Sequence, residues 1–432
     1  MRKVKPAAVQ PMLHQLAVLW AAQLPDATPR QLVNVLWACG KLKSKDTQMW
    51  SSTLGAYMQQ LQHGQQEVVA SQGICNVLHG LANAASANRG AVPGVDRADV
   101  DEAVMQLVEH MLVFVAHPSQ EGVVPQDISN TLWACAKLRI NPGNSVLDGL
   151  LQGIARPRMR ELIEPHHLSN TLWAVSDLQE RGWQPRVAAQ LWQQLLGEQA
   201  LAKVAETGDP QHVSNVVLAL ARLRFAAAPV ISKEFAQQCS QQLLQGQTVQ
   251  QLRRWNAQDV GNAMWGCAKL GLCVESFCRG VDSTSAIWLQ RAVAASLTQV
   301  SSACGTLQLQ LPHLMTGVVK RAQQLFAQQG KRKAVGERVP EAGSARVPAT
   351  CGYTLAVLDM QQLAGDVKAL VAAGVKPSRR LKGEDARMLG MFHSWLMQQQ
   401  LLDGQGLSGV LSAEQLKACE AAWSALRTSN ER

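Results

Sequence analysis

The sequence predicts an all-α chain, an αα-hairpin solenoid with a C-terminal helical segment, and three observations lead there. A short phrase recurs: LVNVLWACGKL at 32–42, DISNTLWACAKL at 127–138, HLSNTLWAVSDL at 167–178 and DVGNAMWGCAKL at 259–270, with weaker copies GICNVLHGLAN at 73–83 and HVSNVVLALARL at 212–223. Aligned on Asn34, Asn76, Asn130, Asn170, Asn215 and Asn262, the copies are spaced by 42, 54, 40, 45 and 47 residues, the period of stacked supersecondary units rather than of one catalytic core. The composition agrees: 432 residues, 47% hydrophobic, with 6 Phe and 2 Tyr, leave the core to Leu, Ala, Val and Trp, which favours helices over sheets.

The elements follow in chain order. LHQLAVLWAAQL at 13–24 reads as the first helix of the first unit. The repeated phrase is itself a helix, since Ile128, Leu132, Cys135 and Ala136 fall at i, i+4, i+7 and i+8 and nothing alternates with the period of a strand. Ahead of the copies stand further helical stretches, at 101–116, 187–204 and 231–244, so each unit is a helical hairpin. Turn signals separate the units: Pro29, Pro125, Pro142 with Gly143, Pro165, and Gly208-Asp209-Pro210; a proline or aspartate before the phrase suits a helix start. The resulting map is about six repeats over 10–275, a degenerate repeat or cap over 276–329, a basic flexible linker over 330–352 and a helical segment over 353–432.

The formal charge of +9 permits a nucleic-acid partner but is modest for this length. Much of it is late: residues 318–388 hold 13 Lys or Arg against 6 Asp or Glu. The linker reads equally as a solvated tether or as a nucleic-acid contact. None of the ten cysteines forms a C-x-x-C, and Cys39, Cys135 and Cys267 share one slot of the phrase where a small buried residue is wanted, so reduced core thiols are expected. No apolar run is long enough to span a membrane, and the basic start is read as helix rather than as a cleavable signal.

Phosphate loops, H-E-x-x-H, G-x-S-x-G and carboxylate pairs in a setting that suggests acid/base work are absent from the sequence, so no enzyme and no cofactor is expected. His166 and His167, adjacent on a helix, point about 100° apart and do not make a metal site. A binding face is the better candidate. Counting from the repeated Asn, positions −4 and −3 hold varying polar pairs: Arg30 and Gln31, Gln72 and Gly73, Gln126 and Asp127, His166 and His167, Gln211 and His212, Gln258 and Asp259. Position +4 is always Ala or Gly, and +7 is Lys41, Lys137, Arg222 and Lys269 in four copies, with Asn83 and Asp177 in the others. For single-stranded nucleic acid, the cation would neutralise phosphate, the small residue would admit the strand, the Asn would orient it and the varying pair would read base edges. The Asn and the small residue serve helix packing equally well. Trp37, Trp133, Trp173 and Trp265 share position +3, and the core is the expected place for that column although a base could stack there.

SNTLWACAKL, SNTLWAVSDL and GNAMWGCAKL resemble the second helix of octotricopeptide repeats, organellar RNA-binding αα repeats of green algae, similar in style to those of FAST-kinase-domain proteins. The segment 384–427 resembles the helices that precede a RAP domain in such proteins, and the RAP domain itself is expected to be missing. The resemblance implies a factor that binds single-stranded organellar RNA, in the chloroplast or alternatively the mitochondrion, and acts in transcript stability, processing, splicing or translation, alone or beside other RNA-processing proteins. The long spacings, and SANRGAVPGVDRAD between the second and third copies, depart from a tight array. The alternative is a protein-interaction scaffold of HEAT or armadillo type without direct RNA contact.

Overall fold

A computed structural model describes residues 6–62, 70–117, 122–334, 345–376, 378, 380–381 and 383–430. The fold is an all-α helical-repeat solenoid, with no strand among the described residues beyond one isolated bridge between Ser408 and Leu411. The chain divides into two units, residues 1–207 with 222–232 and residues 208–221 with 233–432.

The first unit holds α1 (Pro6–Gln23), α2 (Pro29–Leu42), α3 (Thr47–Gln62), α4 (Ser71–Ala87), α5 (Arg97–Ala116), α6 (Pro125–Leu138), α7 (Asn144–Ile154), α8 (Pro157–Leu162), α9 (Pro165–Glu180), α10 (Ala189–Leu195) and α11 (Glu198–Thr207). The repeated phrases form α2, α4, α6 and α9, which pack side by side in that order, while α3, α5 and α7 back them as a second layer. Helix α12 (Pro210–Phe225) carries the fifth copy. The second unit continues with α13 (Lys233–Gln245), α14 (Val249–Leu252), α15 (Ala257–Leu270), α16 (Glu275–Leu289), α17 (Ala294–Leu307), α18 (Pro312–Ala334), α19 (Arg346–Leu358), α20 (Ala364–Gly374), α21 (Gly383–Gln398) and α22 (Ala413–Asn430). Here α15, α17, α19 and α21 form the row of repeat helices, α16, α18 and α20 the second layer, and α22 packs on α21.

Glycine permits the close approach of α2 and α4. A Cβ on Gly40 would lie 2.5 Å from the Gly80 carbonyl oxygen, and one on Gly80 would lie 2.6 Å from that of Leu36. Most repeat helices also end alike. Lys43, Arg139, Gly271, Gln308 and Asp359 adopt the left-handed conformation directly after α2, α6, α15, α17 and α19. The next amide then donates six-to-one into the helix, Ser44 to Cys39, Ile140 to Cys135, Leu272 to Cys267, Leu309 to Cys304 and Met360 to Leu355, which satisfies carbonyls the helix end would orphan.

That shared ending identifies repeats the phrase does not reach. Within 276–329, read as a degenerate repeat or cap, α17 sets Leu297, Gln299, Ser302, Ala303 and Cys304 where Val260, Asn262, Trp265, Gly266 and Cys267 stand in α15; α19 shares the left-handed ending, with Thr350 and Tyr353 at the Asn and Trp positions. The segment 187–204, read as one helix, is two, because Gly197 separates α10 from α11 and glycine is costly inside a helix. The linker read over 330–352 is narrower. Helix α18 runs to Ala334 and α19 starts at Arg346, with Val347, Ala349 and Cys351 buried. Arg346 joins α19 to α21 through Glu384 at 2.7 Å and Asp385 at 3.1 Å. Residues 335–344 of that linker lie outside the described residues.

Candidate functional site

Each repeat helix shows one narrow edge to solvent, and the columns divide sharply on it. Position −4 is exposed in every copy: Arg30, Gln72, Gln126, His166, Gln211 and Gln258. Position −3 has a different task. The side chains of Gln31, Asp127, His167, His212 and Asp259 accept the amide hydrogen three residues back, at 2.8, 3.2, 3.1, 3.1 and 3.1 Å. They satisfy an N–H that the first helical turn leaves orphaned, a capping interaction worth roughly 0.5–2 kcal/mol. Asp127 and Asp259 are buried and take a second bond from the hydroxyls of Ser71 and Ser214 on the preceding repeat helix. The variation among Gln, Asp and His is thus variation among acceptors that suit a cap; Asp127, His167 and Asp259 are buried, whereas His212 is half-buried and Gln31 exposed.

Burial pushes the Asp127 and Asp259 carboxyls above the usual range, with their hydrogen bonds working against the shift. In His167 burial comes first and the neighbouring His166 second, and together they bring its pKa down to about 4. A neutral ring with Nδ1 as acceptor is what the cap requires. No group of three His, Cys, Asp or Glu able to hold a metal occurs among the described residues.

The Asn column runs across the helices beside it. Asn262 donates its amide to the Asn215 side-chain oxygen at 3.4 Å, and Asn130 to the Cys75 sulfur at 3.5 Å. Asn170 is half-buried, whereas Asn34 is exposed and lines a polar cleft of about 470 Å³ together with Arg30, Gln72 and Asn76. Position +4 does not face this surface. Gly80 meets Leu36 and Trp37, and Gly266 meets Val217, so in α4 and α15 the small residue brings adjacent repeat helices together.

Position +3 departs from its expected place in the core. Trp37 is 40% exposed, and Trp133, Trp173 and Trp265 are half-buried. The fully buried indoles are others, Trp50, Trp183 and Trp192. Cations of the +7 column lie over the +3 rings: Lys41 is 5.6 Å from the ring centre of Trp37, Lys137 is 5.7 Å from Trp133 and 4.2 Å from Trp173, and Lys269 is 5.5 Å from Trp265. His79 fills the ring position in α4 and stacks on Trp133 with centres 5.3 Å apart. Burial, and then the Lys41 ammonium, lower His79 to about 4, so at neutral pH it is an uncharged aromatic face. Within the first unit, Trp37, Lys41, His79, Trp133, Lys137 and Trp173 therefore form one stripe across four repeat helices.

The stripe changes character at its far end. Asp177 replaces the cation on α9 and pairs with Arg181 at 2.8 Å, and Arg222 pairs with Glu180 at 3.4 Å. Burial lowers the Lys137 ammonium, and the Asp177 carboxylate partly offsets this. Partly exposed rings alternating with ammonium groups can hold flat aromatic ligands that carry negative charge. No family model matches this chain, and no curated protein matches it either.

Proposed function

We propose that this chain binds single-stranded RNA along the aromatic and cationic stripe of its repeat helices. The observation that carries the reading is the alternation across adjacent helices, His79 on Trp133 at 5.3 Å and Lys137 on Trp173 at 4.2 Å. Stacking on an aromatic face contributes about 1–3 kcal/mol per base and tolerates any base, while the ammonium groups neutralise phosphate. Sequence preference then belongs to the exposed −4 column, where Gln72, Gln126, Gln211 and Gln258 can each donate and accept at a base edge. Single strands suit such a surface because their bases are free to splay, whereas a duplex hides both faces of each base. The resemblance to octotricopeptide repeats points the same way. It alone carries the organellar setting, chloroplast or mitochondrion, and a role in transcript stability, processing, splicing or translation.

The test is fluorescence anisotropy with a labelled RNA pool, single-stranded against the same sequences as duplex. Single strands should bind more tightly, and Lys41→Ala with Lys137→Ala should weaken that binding. Equal affinity for duplex, or none for RNA, overturns the reading and leaves the protein-interaction scaffold.

A further inference from the structure

We propose that Cys273 and Cys278 are a site of reversible oxidation, closing an intrachain disulfide across the start of α16. Nine of the ten cysteines are buried, and Cys273 is exposed. Core packing accounts for the nine and does not account for Cys273. Two residues after the left-handed ending, the other repeat helices that end this way have Lys45, Asn141, Gln310 and Gln361, all polar and exposed. In the repeat of α15 that solvent-facing place holds a thiol.

The helix start brings a second thiol to it. Val274 caps α16, which begins at Glu275, and the Cys278 amide donates to the Val274 carbonyl at 3.0 Å. Cys273 is therefore the residue before the cap and Cys278 the fourth inside the helix, two positions whose side chains pack together across a helix start. The electrostatics agree with that contact: burial, and then the neighbouring Cys273, push the Cys278 thiol up to about 12. Cys267 is near both, and burial, then Cys278 and Cys273, push its thiol up. It stands on α15 and is 1% exposed, whereas Cys278 shares the helix start with Cys273.

Exposure decides which thiol reacts first, since the thiolate is the nucleophile and a buried thiol is inert. With hydrogen peroxide as oxidant, Cys273 loses its proton and its sulfur attacks one peroxide oxygen. The O–O bond breaks, the departing hydroxide takes the proton as water, and Cys273 is left as a sulfenic acid. Cys278 then loses its proton, and its sulfur attacks the Cys273 sulfur. The S–O bond breaks, and the hydroxide leaves with that proton as a second water. Two thiols have been oxidised by two electrons and one peroxide reduced. The second step waits on a loosening of the first turn of α16, because Cys278 is 3% exposed, and helix ends open more readily than helix middles.

Peptide mapping of the full chain tests this. Trypsin cuts after Arg254, Lys269 and Arg279, which leaves Cys273 and Cys278 together on residues 270–279 and Cys267 on residues 255–269. Folded, reduced protein is treated with hydrogen peroxide, then denatured, alkylated and digested. Peptide 270–279 should be two hydrogens lighter than its reduced form and carry no alkyl group, and dithiothreitol should restore both alkylation sites. The remaining cysteines should be alkylated. In Cys278→Ser, dimedone should trap Cys273 as the sulfenic acid; in Cys273→Ser, Cys278 should stay reduced. Should Cys278→Ser lose helical circular dichroism, Cys273→Ser still decides, because it changes an exposed side chain. A bond joining 270–279 to 255–269 overturns the proposal. So does oxidation of Cys273 with Cys278 still alkylated, oxidation of Cys278 in Cys273→Ser, or two chains linked through Cys273 on a non-reducing gel.

Discussion

The ammonium of Lys137 lies 4.2 Å from the ring centre of Trp173 on the next repeat helix, closer than the 5.7 Å to Trp133 on its own. One side chain thus links two repeats at the surface where RNA is proposed to lie. Lys137→Ala should reduce RNA affinity alike for all sequences and make the slope of log affinity against log salt shallower by about 0.7, one phosphate contact on a single strand. Its melting temperature should barely move, since an exposed cation–π contact is worth only about 0.5–1 kcal/mol. Anisotropy titrations at several salt concentrations, with a thermal melt beside them, check both parts.

Trp133→Ala and Trp50→Ala should separate the two kinds of indole. Trp50 is wholly buried, and its loss should cost about 3–5 kcal/mol of stability. Trp133 is half-buried, so its loss should cost less stability while weakening RNA binding by about 1–3 kcal/mol. Denaturant titration and anisotropy on the same preparations measure the pair. A Trp133→Ala protein that binds RNA as the parent does removes the ring column from the site.

Adjacent residues at the start of α6 should behave oppositely. Gln126→Ala should alter which RNA sequences are preferred, with little change in stability, because Gln126 is exposed. Asp127→Ala should leave sequence preference alone and cost roughly 0.5–2 kcal/mol for the cap. It also deprives the Ser71 hydroxyl of its 2.8 Å acceptor. Selection from a randomised RNA pool reads the first effect, and chemical denaturation reads the second.

Acid should weaken the first unit through its histidines. Folding holds His79 and His167 at about 4, below the usual 6.5. Between those values the unfolded chain binds protons that the folded chain refuses, so the stabilisation is complete above pH 6.5 and is lost as pH falls toward 4. His167→Gln keeps a cap acceptor of the kind Gln31 provides and removes one titrating ring. Melting temperatures across that range should fall less steeply for the variant than for the wild type.

Arg139→Gly should stabilise the protein modestly. Arg139 holds φ 61 and ψ 40 at the end of α6, a conformation costing about 1–2 kcal/mol for a residue with a Cβ, part of which returns as greater freedom of the unfolded glycine. A rise in denaturation midpoint is expected, and a fall would place a stabilising contact on the arginine side chain.

The helices, their starts at Pro29, Pro125 and Pro165 and the burial of the Ile128, Leu132 and Cys135 stripe were legible in the sequence, because apolar periodicity and proline act locally and repeat copy by copy. The exposure of Gln126 and Lys137 was legible for the same reason. The copies in α17 and α19 were hidden, since Gln299 and Thr350 stand where Asn is the mark; what persists there is the left-handed ending at Gln308 and Asp359, which non-glycine residues do not advertise.

Sequence alone determined that this protein is a helical-repeat array and which edge of each repeat helix carries polar and cationic residues. Tertiary structure decided what each column on that edge does. Asp127 and Trp133 leave the helical wheel about 60° to either side of Asn130, yet Asp127 turns back to the Val124 amide and the Ser71 hydroxyl of α4, while Trp133 remains half-exposed between His79 and Lys137. A wheel gives the direction in which a side chain leaves its own helix. Burial and partners depend on how closely the next helix approaches, and between α2 and α4 that distance is set by Gly40 meeting Gly80, two residues 40 positions apart in the chain.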